Sequence, residues 1–219
     1  MNKILLCTKL CAFMVWTLCI SVAAESPVGS THFIVGAPVA IYQKVVKPAS
    51  NAYASLSTLT ARQVLFSPDD NLQETLIKLI KHAQGSICIA IYAFTDTKIA
   101  QALLDAHKRG VAIEVVIDPS GIKDRSCRIG MLQKHGITVY VYNPYNDNEL
   151  QHSSLMHNKF VIFEHTAGGM LVWTGSFNFT RAAGLRNQEN VVILNDPSVV
   201  QRYQQQFERL KSRSVIATI

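Results

Sequence analysis

The sequence predicts an α/β fold, a mostly parallel mixed sheet with helices on both faces. Three observations predict it. From Arg62 onward, short apolar runs alternate with segments whose apolar residues recur every three to four positions. Two runs, SICIAIYAF (86–94) and VAIEVVID (111–118), are apolar almost throughout, as strands covered on both sides are. Gly85, Gly110 and Gly136 stand where the periodic segments stop, the place where helices close on glycine. The order β-α-β-α-β-α-β needs crossover connections, and these lay helices on the faces of the sheet.

In chain order, residues 1–24 read as a secretory signal peptide. Lys3 and Lys9 form a positive lead, 10–20 is an 11-residue apolar stretch, and Val22 and Ala24 stand at −3 and −1 of a cut before Glu25. The alternative is an uncleaved membrane anchor, the apolar run extending back before Lys9; the run from 10 to 20 is short for a span. The signal reading puts the protein in the periplasm or outside the cell, and the anchor reading tethers it to a membrane. Residues 25–61, interrupted by Pro27, Pro38 and Pro48, read as a tether with a short amphipathic helix at 41–46.

QVLFS (63–67) reads as a strand. Asp69 or Asp70 then caps a helix that carries Leu72, Leu76, Leu79, Ile80 and Ala83 on one face and stops at Gly85. After strand 86–94, Thr95 or Asp96 caps a second helix bearing Ile99, Ala100, Leu103, Leu104 and Ala106. Strand 111–118, a third helix over 124–135 and strand 137–142 follow. Residues 143–156 are a polar loop. FVIF (160–163) and MLVW (170–173) form a hairpin around HTAGG, and 181–189 is a loop. NVVIL (190–194) is a strand, and a closing helix starts at Pro197, with Val199, Val200, Tyr203, Phe207 and Leu210 on one stripe.

The 219 residues suffice for one sizeable core, and 48% hydrophobic with 16% charged residues leaves no disordered bulk. The net charge of +6 becomes +4 when Lys3 and Lys9 leave with the signal segment, a mild basic bias compatible with a polyanionic partner. Cys88 and Cys127 are either two thiols or one disulfide, and no cysteine spacing suits zinc.

The hairpin carries polar groups at alternate positions. His157 and Lys159 share one strand face, Ser176 and Asn178 share another, and Thr180 continues it. If the strands pair around the turn, a nucleophile or base, a fixed cation and neutral donors, including the Gly175 backbone, meet at one end of the sheet. That set suits an anionic phosphoryl oxygen.

His157-Asn158-Lys159, then Gly175-Ser176-Phe177-Asn178-Phe179-Thr180, then Asn187-Gln188-Glu189-Asn190, together resemble the phospholipase D superfamily: an HxK core, G-S-x-N-x-T and N-x-E-N in order. The likeness runs from about Arg62 to Arg213 and is strongest to small single-motif nucleases of the bacterial periplasm and their mitochondrial relatives. It implies a phospholipase D-like catalytic domain over 62–214 and a phosphodiesterase that works through a phosphohistidine. By that resemblance His157 is the nucleophile, Lys159 and Asn178 hold the non-bridging oxygens, and Ser176 shapes the pocket. Glu189 accepts the Nδ1 proton of His157. Glu164 stands where the family acid is usually Asp, a supporting position.

One histidine cannot be both covalent nucleophile and acid in one step, so a single HxK implies a homodimer with a composite site. No metal and no other cofactor is implied. The implied substrate is nucleic acid, cut as DNA or RNA without strong sequence preference. The alternative is a phospholipase D acting on phospholipid headgroups, and a third reading is a non-catalytic nucleic-acid-binding module.

Several residues keep two readings. Asp96 and Asp118 either cap helices or act from strand ends. Lys123, Arg125, Arg128, Arg181 and Arg186 either line a groove for a phosphate backbone or form a solvated face. Trp173, Phe177 and Phe179 read as core. His82, His107 and His135 read as solvated groups near helix C-termini, His152 and His165 as loop residues with His152 a possible substrate contact, and His32 as part of the tether.

Overall fold

The computed structural model describes residues 62–143, 154–166 and 169–217. The expected signal segment, the tether with its helix at 41–46, His32 and His152 lie outside them. The elements are β1 (Gln63–Ser67), α1 (Leu72–His82), β2 (Ser86–Ile91), α2 (Thr97–Lys108), β3 (Ala112–Ile117), α3 (Pro119–Lys123), α4 (Ile129–Gln133) and β4 (Thr138–Tyr142). Then come β5 (Lys159–Thr166), β6 (Gly169–Gly175), α5 (Arg181–Leu185), β7 (Glu189–Leu194), α6 (Pro197–Ser212) and β8 (Ser214–Ile216). Among the described residues no helix is long and apolar enough to cross a membrane.

All eight strands join one mixed sheet in the order β1-β7-β6-β5-β2-β3-β4-β8. Helices flank it on both faces, as expected for this α/β class. The pairing departs from the expectation of a mostly parallel sheet: β2–β3 and β3–β4 are parallel and the other five neighbours are antiparallel. The cause is where the hairpin docks. Strands β1 to β4 all run one way, as their crossovers require, but β5, β6 and β7 insert between β1 and β2.

Side chains alternate across the sheet. Ile89, Val115, Val161 and Trp173 face one layer with Leu76 and Leu79 of α1, Leu103 of α2 and Leu132 of α4. Ala90, Val116, Phe160, Ile162 and Val172 face the other, against Val200, Phe207 and Leu210 of α6. Each leucine or phenylalanine so enclosed contributes about 1.5–3 kcal/mol. Trp173, Phe177 and Phe179 are buried, as expected.

Several boundaries differ from the sequence expectation. Asn71, not Asp69 or Asp70, caps α1 by accepting from Glu74 N–H at 3.0 Å. Asp70 instead accepts from Phe66 N–H at 2.8 Å. Helix α1 ends at His82, short of Gly85. The helix expected over 124–135 is two pieces. Asp118 and Pro119 start α3, and Asp124 then takes the Ser126 N–H at 2.7 Å, a local turn that competes with helix until Ile129. Strand β5 runs on to Thr166, which pairs with Gly169. His165 therefore sits in an irregular stretch of that strand, at φ +53°, and not in a loop. The expected loop 181–189 contains α5 and the first residue of β7, and β8 was not expected at all.

Cys88 and Cys127 are separate free thiols. Burial pushes the Cys88 thiol up to about 12, which leaves it protonated and inert. His82 and His135 are exposed and bond back to the carbonyls of Lys78 and Met131 at 2.8 and 2.9 Å; His107 is half-buried.

Candidate active site

The residues singled out in the hairpin gather where β1 to β4 end, while β5 and β7 begin there and β6 stops there. This carboxyl edge is where open α/β sheets leave a crevice for ligands. Lys159 opens β5 opposite Ile91, the last residue of β2. Its side chain is 8% exposed, and its ammonium group donates to the carbonyl oxygen of His157 at 2.8 Å. The Tyr92 ring lies under the same ammonium, 5.3 Å from Nζ to centroid. Burial pulls the Lys159 pKa below that of a free lysine, and the Glu189 carboxylate opposes that shift.

His157 precedes β5 and is exposed. The edge of its ring meets Tyr92 at a centroid distance of 4.6 Å and an interplanar angle of 64°. The loop beneath it is pinned from the side. Met156 N–H donates to Asp118 Oδ2 at 2.8 Å, while Oδ1 of the same carboxylate accepts from Ser120 N–H, also at 2.8 Å, and from the Ser120 hydroxyl. Asp118 thus caps α3, the first of its two readings, and also tethers the chain just before His157.

Glu189 opens β7. Its carboxylate accepts from the Ser176 hydroxyl at 2.5 Å and from Asn187 Nδ2 at 3.0 Å. Ser176 Oγ accepts in turn from Asn190 N–H at 3.0 Å, and Ser176 N–H donates to Asn190 O at 3.0 Å. The Ser176 proton is therefore committed to Glu189. Among the described residues no hydrogen bond joins Glu189 to His157. A side chain at Gly175 would overlap the Asn190 carbonyl oxygen, so glycine is what lets β6 and the start of β7 close on each other.

Asn178 is oriented by Ala93, whose N–H donates to its Oδ1 at 3.2 Å, leaving the amide NH2 as the free donor. Phe179 pairs with the end of the β2 segment, accepting from Thr95 and Asp96 N–H at 2.8 and 2.9 Å. Thr180 caps α5 through Ala183 N–H at 3.2 Å. Ser67, buried at the end of β1, donates to the carbonyls of Ala183 and Asn187, tying α5 and the Asn187–Glu189 segment to the sheet.

Glu164 lies elsewhere. Five residues along β5 from Lys159, on the order of 17 Å away, it accepts from Ser86 Oγ at 2.9 Å and fastens β5 to the start of β2. Asp96 is a buried cap of α2, accepting from Lys98 and Ile99 N–H at 2.8 and 3.0 Å. Of the basic residues, Arg128 and Arg181 line one cavity together with Lys98. Lys123, Arg125 and Arg186 are exposed outside it.

Sequence reasoning missed Tyr92, Ser67 and the second duty of Asp118. Tyr92 had one signal, a polar-tipped aromatic closing an apolar strand. Ser67 had none, because its partners are more than a hundred residues away.

Residues 76–211 match the family model described as cardiolipin synthase, PLD-like domain. That is more than half of the chain. The chain belongs to the phospholipase D-like family.

Within that family it is 34% identical over 141 residues to a mitochondrial cardiolipin hydrolase of Xenopus tropicalis, covering 64% of this chain and 61% of that one. It is 32% identical over 164 residues to a phospholipase D of Rickettsia typhi, covering 74% of each. Among solved structures it is similar to Nuc of Salmonella typhimurium, described as a phospholipase D family member. The TM-score is 0.62 and the identity 30%, over 73% of this chain and 99% of that one. The matched stretch thus spans less than two thirds of the Xenopus protein and nearly all of Nuc.

Proposed function

We propose that this phosphodiester hydrolase of the phospholipase D-like family cuts nucleic-acid strands through a phosphohistidine intermediate on His157. The observation that carries the chemistry is the pairing of an exposed imidazole with a nearly buried ammonium group on the same strand entry, both against Tyr92. A dry, fixed cation stabilises charge on a phosphoryl oxygen far better than a hydrated one.

In the first step His157 Nε2 attacks phosphorus, an N–P bond forms and the P–O bond to the leaving group breaks. The leaving oxygen takes a proton from His157 of a second copy of the chain. In the second step water attacks phosphorus, gives its proton back to that second imidazole, and the N–P bond breaks. Lys159 and the Asn178 amide NH2 hold the non-bridging oxygens. Ser176 and Asn187 hold the Glu189 carboxylate in place, and each oxygen keeps a lone pair for the Nδ1 proton of His157. Positive charge comes from side chains, so activity persists in excess EDTA.

One observation favours a second reading. Leu155 and Leu185, 60% and 57% exposed, stand two residues before His157 and four after Arg181, and apolar groups beside a site suit a lipid surface. The basic residues on the same edge favour the nucleic acid. The deciding experiment gives the purified protein single- and double-stranded nucleic acid and phosphatidylcholine vesicles in parallel, with His157→Ala as control. Cleavage of the strands, abolished in the control and weakening steeply with salt, is the expected result. Headgroup release without strand cleavage moves the assignment to the lipid.

A further inference from the structure

Beside the proposed site, a cavity of about 530 Å³ opens between the β2–α2 connection, the start of α4 and α5. Three cations line it: Lys98, Arg128 and Arg181. They come from three segments separated in sequence but brought to the carboxyl edge of the sheet, the edge that carries His157 and Lys159. Among the described residues none of the three makes an ion pair. Arg128 is half-buried and pre-positioned, its Nε–H on the Thr95 carbonyl at 3.3 Å and its backbone N–H on Phe94 O at 2.9 Å. Its two terminal NH2 groups remain for a ligand.

One carboxylate, Asp96, stands in the same wall, so the lining carries three cations against one anion. It is 4% exposed and already accepts from Lys98 N–H, Ile99 N–H and Gln73 Nε2. The same bonds occupy the Lys98 and Ile99 N–H groups at the start of α2, so the cavity attracts anions chiefly through its side chains. A lining of three cations and one carboxylate around one void is net positive, which fits the diffuse charge and several acceptor oxygens of a phosphate group.

The cavity is tied to the reacting end. Thr95 in its wall follows Ala93, which orients Asn178, by two residues, and Arg181 follows Asn178 by three. Three residues of extended chain reach on the order of 10 Å, within the span of a few nucleotides of one strand. We propose that this cavity holds a second phosphate of a nucleic-acid strand whose reacting phosphodiester lies at His157. The subsite rests on the nucleic-acid reading above and adds to it the residues that grip the strand away from the chemistry. It makes the enzyme prefer a polymer of phosphodiesters over a compound with one.

The test compares the full chain with Lys98→Gln/Arg181→Gln, and with Lys81→Gln/Lys134→Gln as a charge-matched control on exposed residues outside the cavity lining. Substrates are a single-stranded oligonucleotide, a bis(aryl) phosphate with one phosphodiester, and phosphatidylcholine vesicles. Binding of a fluorescent oligonucleotide is measured separately in the His157→Ala background. Expected in the cavity variant is an oligonucleotide KM raised about tenfold with kcat kept, a salt slope reduced by about one, and unchanged one-phosphate kinetics. An oligonucleotide KM that moves no more than in the control overturns the subsite and leaves the nucleic-acid reading standing. A parent protein that cleaves only vesicles overturns the substrate reading and with it the subsite as the grip on a reacting strand. No oligonucleotide affinity in the parent overturns both.

Discussion

Burial strips Lys159 of most of its hydration, and its ammonium group is kept charged by one carbonyl, one ring face and the nearby Glu189 carboxylate. The pH consequence has a definite sign. A lowered pKa means the cation is intact below that value and is lost as pH rises through it, so the alkaline limb of kcat/KM falls before that of a free lysine. Lys159→Arg, which cannot be deprotonated, removes this limb while lowering kcat, and Lys159→Met costs about 10²–10³-fold in kcat across the profile. A pH–rate profile of the three proteins checks both statements; an alkaline limb unchanged in Lys159→Arg assigns it to another group. In the proposed mechanism Ser176 acts through Glu189, to which its hydroxyl donates. Ser176→Ala frees one carboxylate oxygen and leaves the Asn190 N–H without its partner. The expected outcome is a drop in kcat of about tenfold with KM little changed, with a stability loss of about 0.5–1.5 kcal/mol by urea titration, since water can reach the freed Asn190 N–H.

At the scale of elements, the site depends on two close junctions. The first is β6 against the start of β7. Gly175→Ala places a methyl group in the Asn190 carbonyl, so the strands part or the backbone shifts. It should destabilise the fold by about 1–3 kcal/mol and lower Tm by about 2–4 °C per kcal/mol, and activity falls with it because Glu189 and Ser176 straddle the junction. The second is the loop into β5. Asp118 is 1% exposed and carries both the α3 cap and the Met156 tether. Asp118→Ala therefore lowers kcat as well as stability, whereas Asp196→Ala, which removes only the cap of α6, lowers stability alone. Calorimetry beside steady-state kinetics separates the two. Equal kinetic effects in both variants would assign Asp118 a purely structural role.

For the whole molecule, the proposed chemistry asks one histidine to attack while another protonates the leaving oxygen, and each chain supplies one HxK. A homodimer with its two HxK segments facing each other answers this. Refolding an equal mixture of native and His157→Ala chains should leave about a quarter of the native activity, because only dimers with both imidazoles complete the cycle. About half the activity would mean that each copy works alone and would remove the composite site. Sedimentation of the native protein is expected to show the dimer at assay concentrations.

Period and punctuation were enough to read the α/β class, most strand positions and the gathering of His157, Lys159, Ser176 and Asn178 at one end of the sheet, because local physics controls them. Glu189 was singled out only by the family resemblance. Strand side chains alternate, helices need an apolar stripe and a cap, and a buried run of Val and Ile has few uses other than a covered strand. What lay beyond reach was set by non-local pairing. Nothing within β1 says that β5, β6 and β7 enter between it and β2, so the count of parallel neighbours came only with the assembled sheet. Nor does local sequence reveal that Tyr92 meets the His157 ring edge-on and lies under the Lys159 ammonium, or that Asp118 reaches across to Met156. Those contacts join residues tens of positions apart, and only the packing of the sheet brings their side chains within hydrogen-bonding or ring-contact distance.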